Sequence, residues 1–542
     1  MTARFAGLLL ARKSPRPPVN TPHPFGALDW TVLAAYAAAM LGIGYYYSRR
    51  QKSAEEYFLG GRTMHPFLAG ISLFTAITSI ITYLGTPGEY VQYGPTLAFL
   101  AGLIALPFVQ LIVGRWMIPV IMRLPITSAY ELLGGLGLSV RRTGSLAYIV
   151  TRFVWMSMIL YTSSRALVNV IGCDPHWGYL MIAVIGLVTT TYTLSGGIRT
   201  VMITETVQFF IMLLGATATI VSVSVRLGGV SAWLPVRWEP HWPHQPLFSL
   251  DPHIRVTLIG AFIYNVIATV CSTGSDQSTV QRFLTTRDAR TARRAFLLTN
   301  FSIGGVSIVL GLVGAALLGF YRMNPGAIPA GLTLEKNGDA FFPLYIAQFL
   351  PSGVSGLVVA SLMALSMSCL SAGINALIII ITKDFIETSK SHVEHSEQEK
   401  VRLSRRLAFV IGLSVILGSV AVGAVRGNIF EVAGKTVNLL GCPLFGLFFL
   451  AIFVRFATPF GAVMGAVYST AAAVIVGYWD VLTGHPVISF LWIAPISFSV
   501  SIVASCGFSL LPTRGRPVRV LASYAAASLA VLAGISWWVV SR

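Results

Sequence analysis

Hydroxyl side chains collect in one apolar stretch of the chain, FTAITSIITYLGTPGEY, which runs from Phe74 to Tyr90. Thr75, Thr78 and Thr82 lie within it, and the helix breakers Gly-Thr-Pro-Gly follow. Carbonyls and hydroxyls at the break of a membrane helix are hard oxygen ligands, which suit a small cation. The alternative is that these hydroxyls bond their own helix or pack against a neighbouring one.

A second apolar stretch, IATVCSTGSDQSTVQR, is interrupted in a similar way within the segment 254–278 and beyond it. Thr, Ser and Gly break the hydrophobic run, and Asp276 follows them. Two broken spans five helices apart are what an inverted five-helix repeat predicts for its paired first helices. This symmetry follows from the hydropathy pattern alone.

The elements that carry these stretches must be membrane helices. The 542 residues are 55% hydrophobic and only 11% charged, whereas a soluble chain carries about 25% charged residues. Lipid forces every backbone group to pair internally, so we predict an all-α polytopic membrane protein. Reading about 20 apolar residues per span predicts about fourteen transmembrane helices. Their limits are 28–48, 66–86, 95–118, 144–171, 177–195, 200–225, 254–278, 295–320, 353–382, 406–426, 430–454, 459–478, 488–511 and 519–540.

Basic residues concentrate in alternate loops, for example at 49–62, 115–142, 282–294 and 383–406. By the positive-inside rule these loops are cytoplasmic, which predicts a protein of the cell inner (plasma) membrane with both termini outside. Four basic residues in the tail 1–27 oppose this orientation. The net charge of +18 therefore orients the chain in the lipid bilayer, and no nucleic-acid partner is expected.

Metal chemistry of the zinc type is not predicted. The five cysteines are scattered without a CxxC pair, so neither a disulfide framework nor a zinc site is indicated. His241, His244 and His253 lie in a predicted outer loop and are the less favoured candidates for a transition-metal site.

Four segments form a recognisable series: YFLGGRTMHPFLAGISLFTAITSIITYLGTPGEYVQYG, LSGGIRTVMITETVQFFIMLLG, GSDQSTVQRFLTTRD and SMSCLSAGINALIIIITKDF. In this order they resemble the first core helix, the fifth, the end of the sixth and the eighth core helix of the sodium/solute symporter family. The resemblance covers roughly residues 28–480 and implies a LeuT-type inverted-repeat fold. It divides the chain into a tail at 1–27, a leading helix at 28–48, a ten-helix transporter core at 66–454 and accessory helices at 455–542. TYLGTPGEYVQYG and LLGCPLFGLFFLAIFVRFATPFGAVMG resemble the branch that carries monocarboxylates, vitamins and iodide.

The resemblance implies a central sodium site between the first and eighth core helices. The positions that match the family's carbonyl and hydroxyl ligands are Thr75, Thr78, Leu365, Ser368 and Cys369. The last three have i, i+3, i+4 spacing, which puts them on one helical face. Cys369 departs from the family pattern, because a thiol is a soft, weak ligand for Na⁺.

Two carboxylates are expected to act in ion exit or coupling. The family usually has Asp in the fifth core helix, where this chain has Glu205, and a carboxylate at membrane depth is costly unless it has a role. We interpret Glu205 as an inner-gate or ion-exit group and assign Asp276 to the same step. The alternative for Glu205 is a salt bridge, to Arg199 or Arg282.

The resemblance places a solute pocket at the midplane, with Thr82 as a gate on the first helix and Thr269 and Ser272 on the sixth. Small hydroxyls stand here where sugar carriers hold larger groups. Lys435, early in the tenth core helix, would favour an anionic solute by charge pairing. The alternatives are that Lys435 snorkels to the interface or pairs with Glu431.

Two arginines of the span 144–171 are similar candidates for charge pairing with an anion. We expect Arg165 to snorkel towards the outside and Arg152 towards the inside.

These features predict a secondary active transporter that couples Na⁺ to the uptake of a small organic solute, a carboxylate anion, by alternating access. The sequence contains no GxxxxGK[ST] motif for ATP, and its ionisable residues are too sparse for a membrane enzyme. Alternatives on the same fold are proton-coupled or uncoupled transport, a channel, and a transporter-like sensor with a degraded sodium site.

Overall fold

The computed structural model describes residues 25–48, 53–235, 237–389, 396–422, 429–513 and 515–541, and in these ranges the chain is helical without strands. Most of the predicted tail 1–27 and part of the loop 383–406, which is predicted to be cytoplasmic, lie outside the described residues.

Nineteen α-helices are described, with short 3₁₀ and π-helical turns between them. The first ten are α1 Ala27–Ser48, α2 Ala54–Leu59, α3 Pro66–Ile77, α4 Ile80–Tyr93, α5 Leu97–Ile112, α6 Ile118–Arg123, α7 Leu138–Ile171, α8 Trp177–Leu227, α9 Leu258–Ser275 and α10 Gln277–Leu284. The others are α11 Ala289–Met323, α12 Gly338–Phe349, α13 Val354–Ile380, α14 Glu397–Val422, α15 Ile429–Phe453, α16 Pro459–Gly477, α17 Trp479–Thr483, α18 Ile493–Ser509 and α19 Val518–Ser541. The 3₁₀ turns are Gly60–Arg62, Ala129–Leu136, Val230–Ala232, Pro325–Ala327 and Phe490–Trp492, and the π-helical turns are Val113–Met117 and Ile381–Ile386.

Many of these helices are long enough to span a membrane. In the described part of the chain, eleven helices are long and apolar enough to cross a membrane, or twelve if α3 and α4 form one span. Helix α8 has 51 residues and a non-helical φ of 57° at Gly197, so it contains both predicted spans 177–195 and 200–225. Within α15, the segment Gly441–Phe453 is apolar but too short to count among these eleven helices. The count of fourteen spans stays a prediction.

Helix α13 lies at the centre of the bundle, since 94% of its most apolar window is buried. It packs against α8, α7 and α1. A helix that is apolar on all sides is expected in such a position. Among the Leu and Ala residues of this helix the sequence also has Ser and Cys. The Ser and Cys side chains are therefore polar groups that lie in the middle of the protein.

Asp29, in the first turn of α1, caps the N-terminus of α13. Its carboxylate is buried and accepts hydrogen bonds from the backbone N–H groups of Gly353 and Gly356, both at 2.7 Å. The hydroxyls of Ser352 and Ser355 donate to the same carboxylate at 3.1 and 2.7 Å. The first turn of a helix has N–H groups without partners inside the helix, and Asp29 satisfies two of them. The contact fixes the leading helix to the central one.

The first predicted interruption is present, but at a different residue. Helices α3 and α4 meet at an angle of 69°, and the backbone is extended at Thr78 and Ser79. The sequence 85–88, Gly-Thr-Pro-Gly, continues as helix to Tyr93, so the expectation that it ends or kinks the helix is wrong. Gly88 serves close packing instead, because a Cβ there would lie 2.7 Å from the Cα of Asp339 on α12.

Candidate ion and solute site

The break between α3 and α4 leaves carbonyl groups without partners in their own helix, and α13 supplies hydrogen-bond donors to them. Ser368 Oγ donates to the carbonyl of Thr75 at 3.1 Å, and Cys369 Sγ donates to the carbonyl of Thr78 at 3.3 Å. Ser368 Oγ also lies 2.9 Å from the carbonyl oxygen of Leu365. All five residues are buried. The structure therefore brings together the five residues that the sequence assigns to the sodium site.

The oxygen atoms of this cluster are of the type that a hard cation requires. The carbonyls of Thr75, Thr78 and Leu365 and the hydroxyl of Ser368 are all uncharged oxygens. The hydroxyl of Thr75 differs in its partners, since Thr75 Oγ1 donates to the carbonyls of Ile71 and Ser72 within α3. These two bonds direct the hydrogen of the Thr75 hydroxyl into its own helix.

The second break lies between α9 and α10 and carries a charge. Asp276 is extended at this point and caps α10, its Oδ1 accepting from the backbone N–H of Thr279 at 3.1 Å. Its Oδ2 lies 3.4 Å from Nη1 of Arg152 on α7. The interruption predicted in the segment 254–278 is thus present, and an ion pair between two helices occupies it.

A cavity of about 390 Å³ lies between α3, α7, α9, α11 and α15. This volume is within the range of small-molecule sites in proteins, roughly 300–1,000 Å³. Thr269, Ser272, Asp276 and Arg152 line it together with Asn300. Three of these are residues that the sequence assigns to the pocket or to coupling.

Thr82 and Lys435 are not brought into this cavity by the described contacts. Thr82 is exposed in the first turn of α4, and it is absent from the walls of the cavity. Lys435 falls at a position of α15 whose side chain lies outside the described part of the structure. Their predicted roles stay predictions.

Arg152 was named from the sequence as a candidate for pairing with an anion, but its side chain was expected in a different place. The expectation that it snorkels towards the inside is wrong, because its side chain is only 10% exposed and lies on the cavity wall. Its Nε and Nη2 are buried and have no hydrogen-bond partner among the described residues. A guanidinium carries N–H donors in a fixed fork that matches a carboxylate. Arg165, on the same helix, is exposed.

Glu205 forms a buried ion pair with Arg282. Glu205 Oε1 lies 2.7 Å from Nη2 of Arg282, and both side chains are completely buried. Ser72 donates to Glu205 and accepts from Arg282 Nε at 2.8 Å. The salt bridge that the sequence left open as an alternative is therefore present with Arg282, whereas Arg199 is exposed. The triad joins α3, α8 and α10 next to both breaks.

Transition-metal ligands are not clustered in the described part of the chain, where no group of three His, Cys, Asp or Glu side chains could hold a metal ion. His241, one of the less favoured candidates, has Nε2 3.0 Å from the carbonyl oxygen of Val91.

Comparison with known proteins places this arrangement in a family. A model of the sodium:solute symporter family matches residues 57–468. The sodium/sialic acid symporter SiaT of Proteus mirabilis is 29% identical over 470 residues, which cover 84% of this chain and 90% of the relative. The sodium-dependent multivitamin transporter of Oryctolagus cuniculus is 29% identical over 85% of this chain and 71% of its own length. Sodium-coupled monocarboxylate transporter 2 of Homo sapiens is 28% identical over 87% and 74%.

Solved structures agree with this placement. A substrate-bound, outward-open Na⁺-coupled sialic acid symporter is 26% identical and has a TM-score of 0.75, with 90% of this chain and 98% of that chain covered. A nucleobase-cation-symport-1 family transporter in a closed conformation has a TM-score of 0.50 at 11% identity, over 86% and 95% of the two chains, which shows the fold alone.

The two broken helices around a central cavity therefore belong to a multi-pass membrane protein of the LeuT-type transporter fold. The chain is a member of the sodium:solute symporter family. Proteins of this family are transporters rather than enzymes, and the predicted family and fold class are both confirmed.

Proposed function

We propose that the protein is a secondary active transporter of the plasma membrane that moves Na⁺ and a small organic carboxylate together into the cell. The observation that carries the proposal is Arg152, whose buried, unpartnered N–H groups lie on the wall of the central cavity. A buried guanidinium with free donors is costly unless an anion completes it. The names of relatives agree, since sialic acid and monocarboxylates are carboxylic acids.

Sodium is assigned to the cluster of Thr75, Thr78, Leu365, Ser368 and Cys369. A cation at this point would replace the donor hydrogens of Ser368 and Cys369 as the partner of the α3 carbonyls. It would also link α3 to the central helix α13, so its binding favours one relative position of the two helices. Such a link is the physical basis of coupling, because a ligand shifts a conformational equilibrium only through its differential affinity for the two states.

The solute occupies the adjacent cavity in this proposal. Its carboxylate pairs with Arg152, while Thr269 and Ser272 on α9 and Asn300 on α11 offer hydrogen bonds to the rest of the molecule. Asp276 already holds Arg152 through one nitrogen atom, which fixes the direction of the guanidinium. Thr82 is assigned to the gate, as the family resemblance implies, and Lys435 to charge pairing with the anionic solute.

Energy for uptake comes from the ion. One Na⁺ crossing a potential of 100 mV releases about 2.3 kcal/mol, and a tenfold sodium gradient adds about 1.4 kcal/mol. Entry of a monovalent carboxylate against the same potential costs about 2.3 kcal/mol, so one Na⁺ per solute leaves about 1.4 kcal/mol, which supports accumulation on the order of tenfold. Both termini are assigned to the outside, and the transporter core to residues 66–454.

Thermal unfolding of the purified protein tests the ion assignment. We compare midpoints in NaCl and choline chloride at pH 6 and pH 8, because a ligand bound only by the folded state raises the midpoint. A sodium-specific rise at both pH values supports the proposal. Equal midpoints in the two salts contradict it, and a midpoint that responds to pH alone favours proton coupling.

Uptake into proteoliposomes tests the solute assignment. Under an inward sodium gradient, uptake of small carboxylates is compared with uptake of the matching amides. The variant Arg165→Gln, which removes the same charge from α7, is the control for Arg152→Gln. The proposal expects uptake of a carboxylate but not of its amide, with Arg165→Gln unchanged. Equal uptake of acid and amide would leave Arg152 without the proposed role.

A further inference from the structure

Two neighbouring helices carry exposed apolar stripes that end in arginine. On α5 and the π-helical turn after it, the exposed positions three and four residues apart are Leu100, Ile104, Phe108, Leu111 and Arg115. On α11 the same spacing gives the exposed positions Arg290, Arg294, Leu297 and Phe301. Side chains with this spacing share one face of a helix. Each face is therefore basic at one end and apolar along the rest.

The two helices pack side by side and run in opposite directions. Gly304 lies against Leu103, since a Cβ at Gly304 would be 3.4 Å from Leu103 Cδ2. Gln110 Oε1 accepts a hydrogen bond from Asn300 Nδ2 at 2.8 Å, and Gln110 Nε2 donates to the carbonyl of Arg293 at 3.4 Å. Residue numbers thus rise along α5 where they fall along α11. The arginine ends of both stripes consequently lie at the same end of the helix pair.

Both exposed stripes also lie on the same side of this contact. On α5 the exposed Leu111 follows the contacting Gln110, and on α11 the exposed Phe301 follows the contacting Asn300. One position is a rotation of about 100° around the helix axis. In an antiparallel pair, equal rotations away from the contact turn both faces to the same side. The stripes therefore form one surface, which is apolar along its length and basic at one end.

The basic end of this surface has no acidic residue of its own. Neither α5, nor the π-helical turn after it, nor α11 contains Asp or Glu. Asp288, which precedes α11, caps that helix and pairs with Arg287. Among the residues that the structure describes, Arg115, Arg290 and Arg294 take part in no ion pair. Their charges are therefore open to an anion from outside the chain.

Trp116 indicates the depth of the basic end in the membrane. Its side chain is 58% exposed directly after Arg115, and tryptophan is enriched at the level of the lipid headgroups. Leu297 lies one turn into α11 from the arginines and is also exposed. The guanidinium groups thus lie at headgroup level, with apolar side chains on the hydrocarbon side. A guanidinium matches the geometry of phosphate, and basic pockets between membrane helices bind anionic headgroups.

We propose that this surface binds an anionic phospholipid, with its phosphate at Arg115, Arg290 and Arg294 and its acyl chains along the apolar stripes of α5 and α11. The arginines favour an anionic headgroup over a zwitterionic one, because no acidic group offsets their charge. The apolar stripes favour a lipid over free phosphate, because only a lipid covers both parts of the surface. The three arginines lie outside the walls of the central cavity, so the proposal does not depend on the proposed transport function.

Native mass spectrometry of the full-length protein in detergent tests the proposal. The protein is incubated with phosphatidylglycerol or with phosphatidylcholine of the same acyl chains, and the bound lipid is counted. We expect phosphatidylglycerol to be retained in preference to phosphatidylcholine. Arg290→Gln/Arg294→Gln should weaken its binding on the order of 30-fold, and Arg115→Gln on the other helix about fivefold, because each basic residue contributes to the attraction of the headgroup.

The matched control is Arg402→Gln/Arg406→Gln. These arginines are also exposed and four positions apart, and on α14 they too precede exposed apolar residues, Leu413 and Leu417. The control removes the same charge at the end of the protein that is predicted to be cytoplasmic, and it should retain phosphatidylglycerol. Equal losses in the two double variants would reduce the effect to general attraction by basic residues and overturn the site.

Two further results would contradict the proposal. Equal retention of the two lipids by the starting protein would show that the headgroup charge is not recognised. Glycerol phosphate, which is the headgroup without acyl chains, should not displace phosphatidylglycerol at millimolar concentration, and displacement would assign the arginines to a free phosphate instead. Gel filtration checks the folding of each variant, and Arg290→Lys/Arg294→Lys, which keeps the charge, should retain most of the bound lipid.

Discussion

The two broken helices differ in what they present at the break. At the α3–α4 break, uncharged carbonyls of Thr75 and Thr78 meet a hydroxyl and a thiol of α13. At the α9–α10 break, Asp276 meets the guanidinium of Arg152 across the cavity. The first is a buried, uncharged cluster of carbonyls with a hydroxyl and a thiol, and the second is an ion pair in which two guanidinium nitrogens of Arg152 have no partner among the described residues.

In the proposed function, this difference separates the binding of the cation from the binding of the anion. Uncharged oxygens hold a small cation without fixing a permanent counter-charge in the membrane, while a guanidinium with free donors selects an anion. The triad of Ser72, Glu205 and Arg282 lies between the two breaks and contacts both broken helices. The two breaks and the triad between them can therefore each be changed by a separate substitution.

The largest effect is expected for the triad. Glu205→Gln removes the partner of a completely buried Arg282, and breaking a buried ion pair costs about 3–5 kcal/mol. Chemical or thermal unfolding measures the loss. Glu89→Gln is the control, because Glu89 pairs with Arg255 at an exposed position where an ion pair contributes about 0–1 kcal/mol. Equal stability of Glu205→Gln and the original protein would show that the triad does not hold the two breaks together.

The next effect concerns the charged break. Arg152→Gln should weaken carboxylate binding by about 2 kcal/mol or more, roughly 30-fold, because a buried charge partner is lost. Solute affinity is measured by uptake or by scintillation proximity. The double variant Arg152→Gln/Asp276→Asn separates two roles of Arg152. If the arginine only neutralised Asp276, the double variant would recover affinity; if it binds solute, affinity stays low.

A smaller effect is expected at the neutral break. Ser368→Ala removes one oxygen from the cluster and should weaken sodium affinity about tenfold, or about 1.4 kcal/mol. Sodium dependence of the thermal midpoint measures this change. Ser366→Ala is the matched control, since Ser366 lies on the same helix but bonds to Ser163 and Leu362. Identical sodium dependence of the two variants would remove Ser368 from the site.

The smallest effect has the opposite sign. Cys369→Ser replaces a soft sulfur with an oxygen that Na⁺ prefers, so sodium affinity should rise about threefold, less than 1 kcal/mol. The same titration of the thermal midpoint detects it. A loss of sodium affinity in Cys369→Ser would mean that the thiol packs in the site without facing the ion.

Much of this arrangement could be predicted from the sequence, since hydropathy requires membrane helices and the family resemblance locates the candidate ligands. Thr75, Thr78, Leu365, Ser368 and Cys369 were placed by short motifs with fixed spacing, and the structure puts them in contact. The spacing is informative here because the ligands of one helix must share one face.

The position of the first break and the placement of Arg152 could not be predicted from the sequence. The break was expected at residues 85–88, where Gly and Pro stand, but a proline is tolerated in α4 and Gly88 makes room for α12. Intrinsic helix propensity does not reveal which glycine ends a helix and which one allows another helix to pack closely against it. Likewise, the sequence around an arginine in the middle of a span does not show whether its side chain snorkels to the membrane surface or faces a cavity. The placement of Arg152 depends on α9 and Asp276, which lie more than a hundred residues further along the chain.

The cap that Asp29 places on α13 has a consequence for the synthesis of the protein. Asp29 and Gly356 are separated by 327 positions in the chain, so at about 5–20 residues per second the partner emerges about 15–65 seconds later. During that interval the carboxylate must be solvated by water or lipid headgroups at the membrane surface. Helix α1 therefore enters the bilayer among the first segments, yet it reaches its final packing only after most of the transporter core has been made.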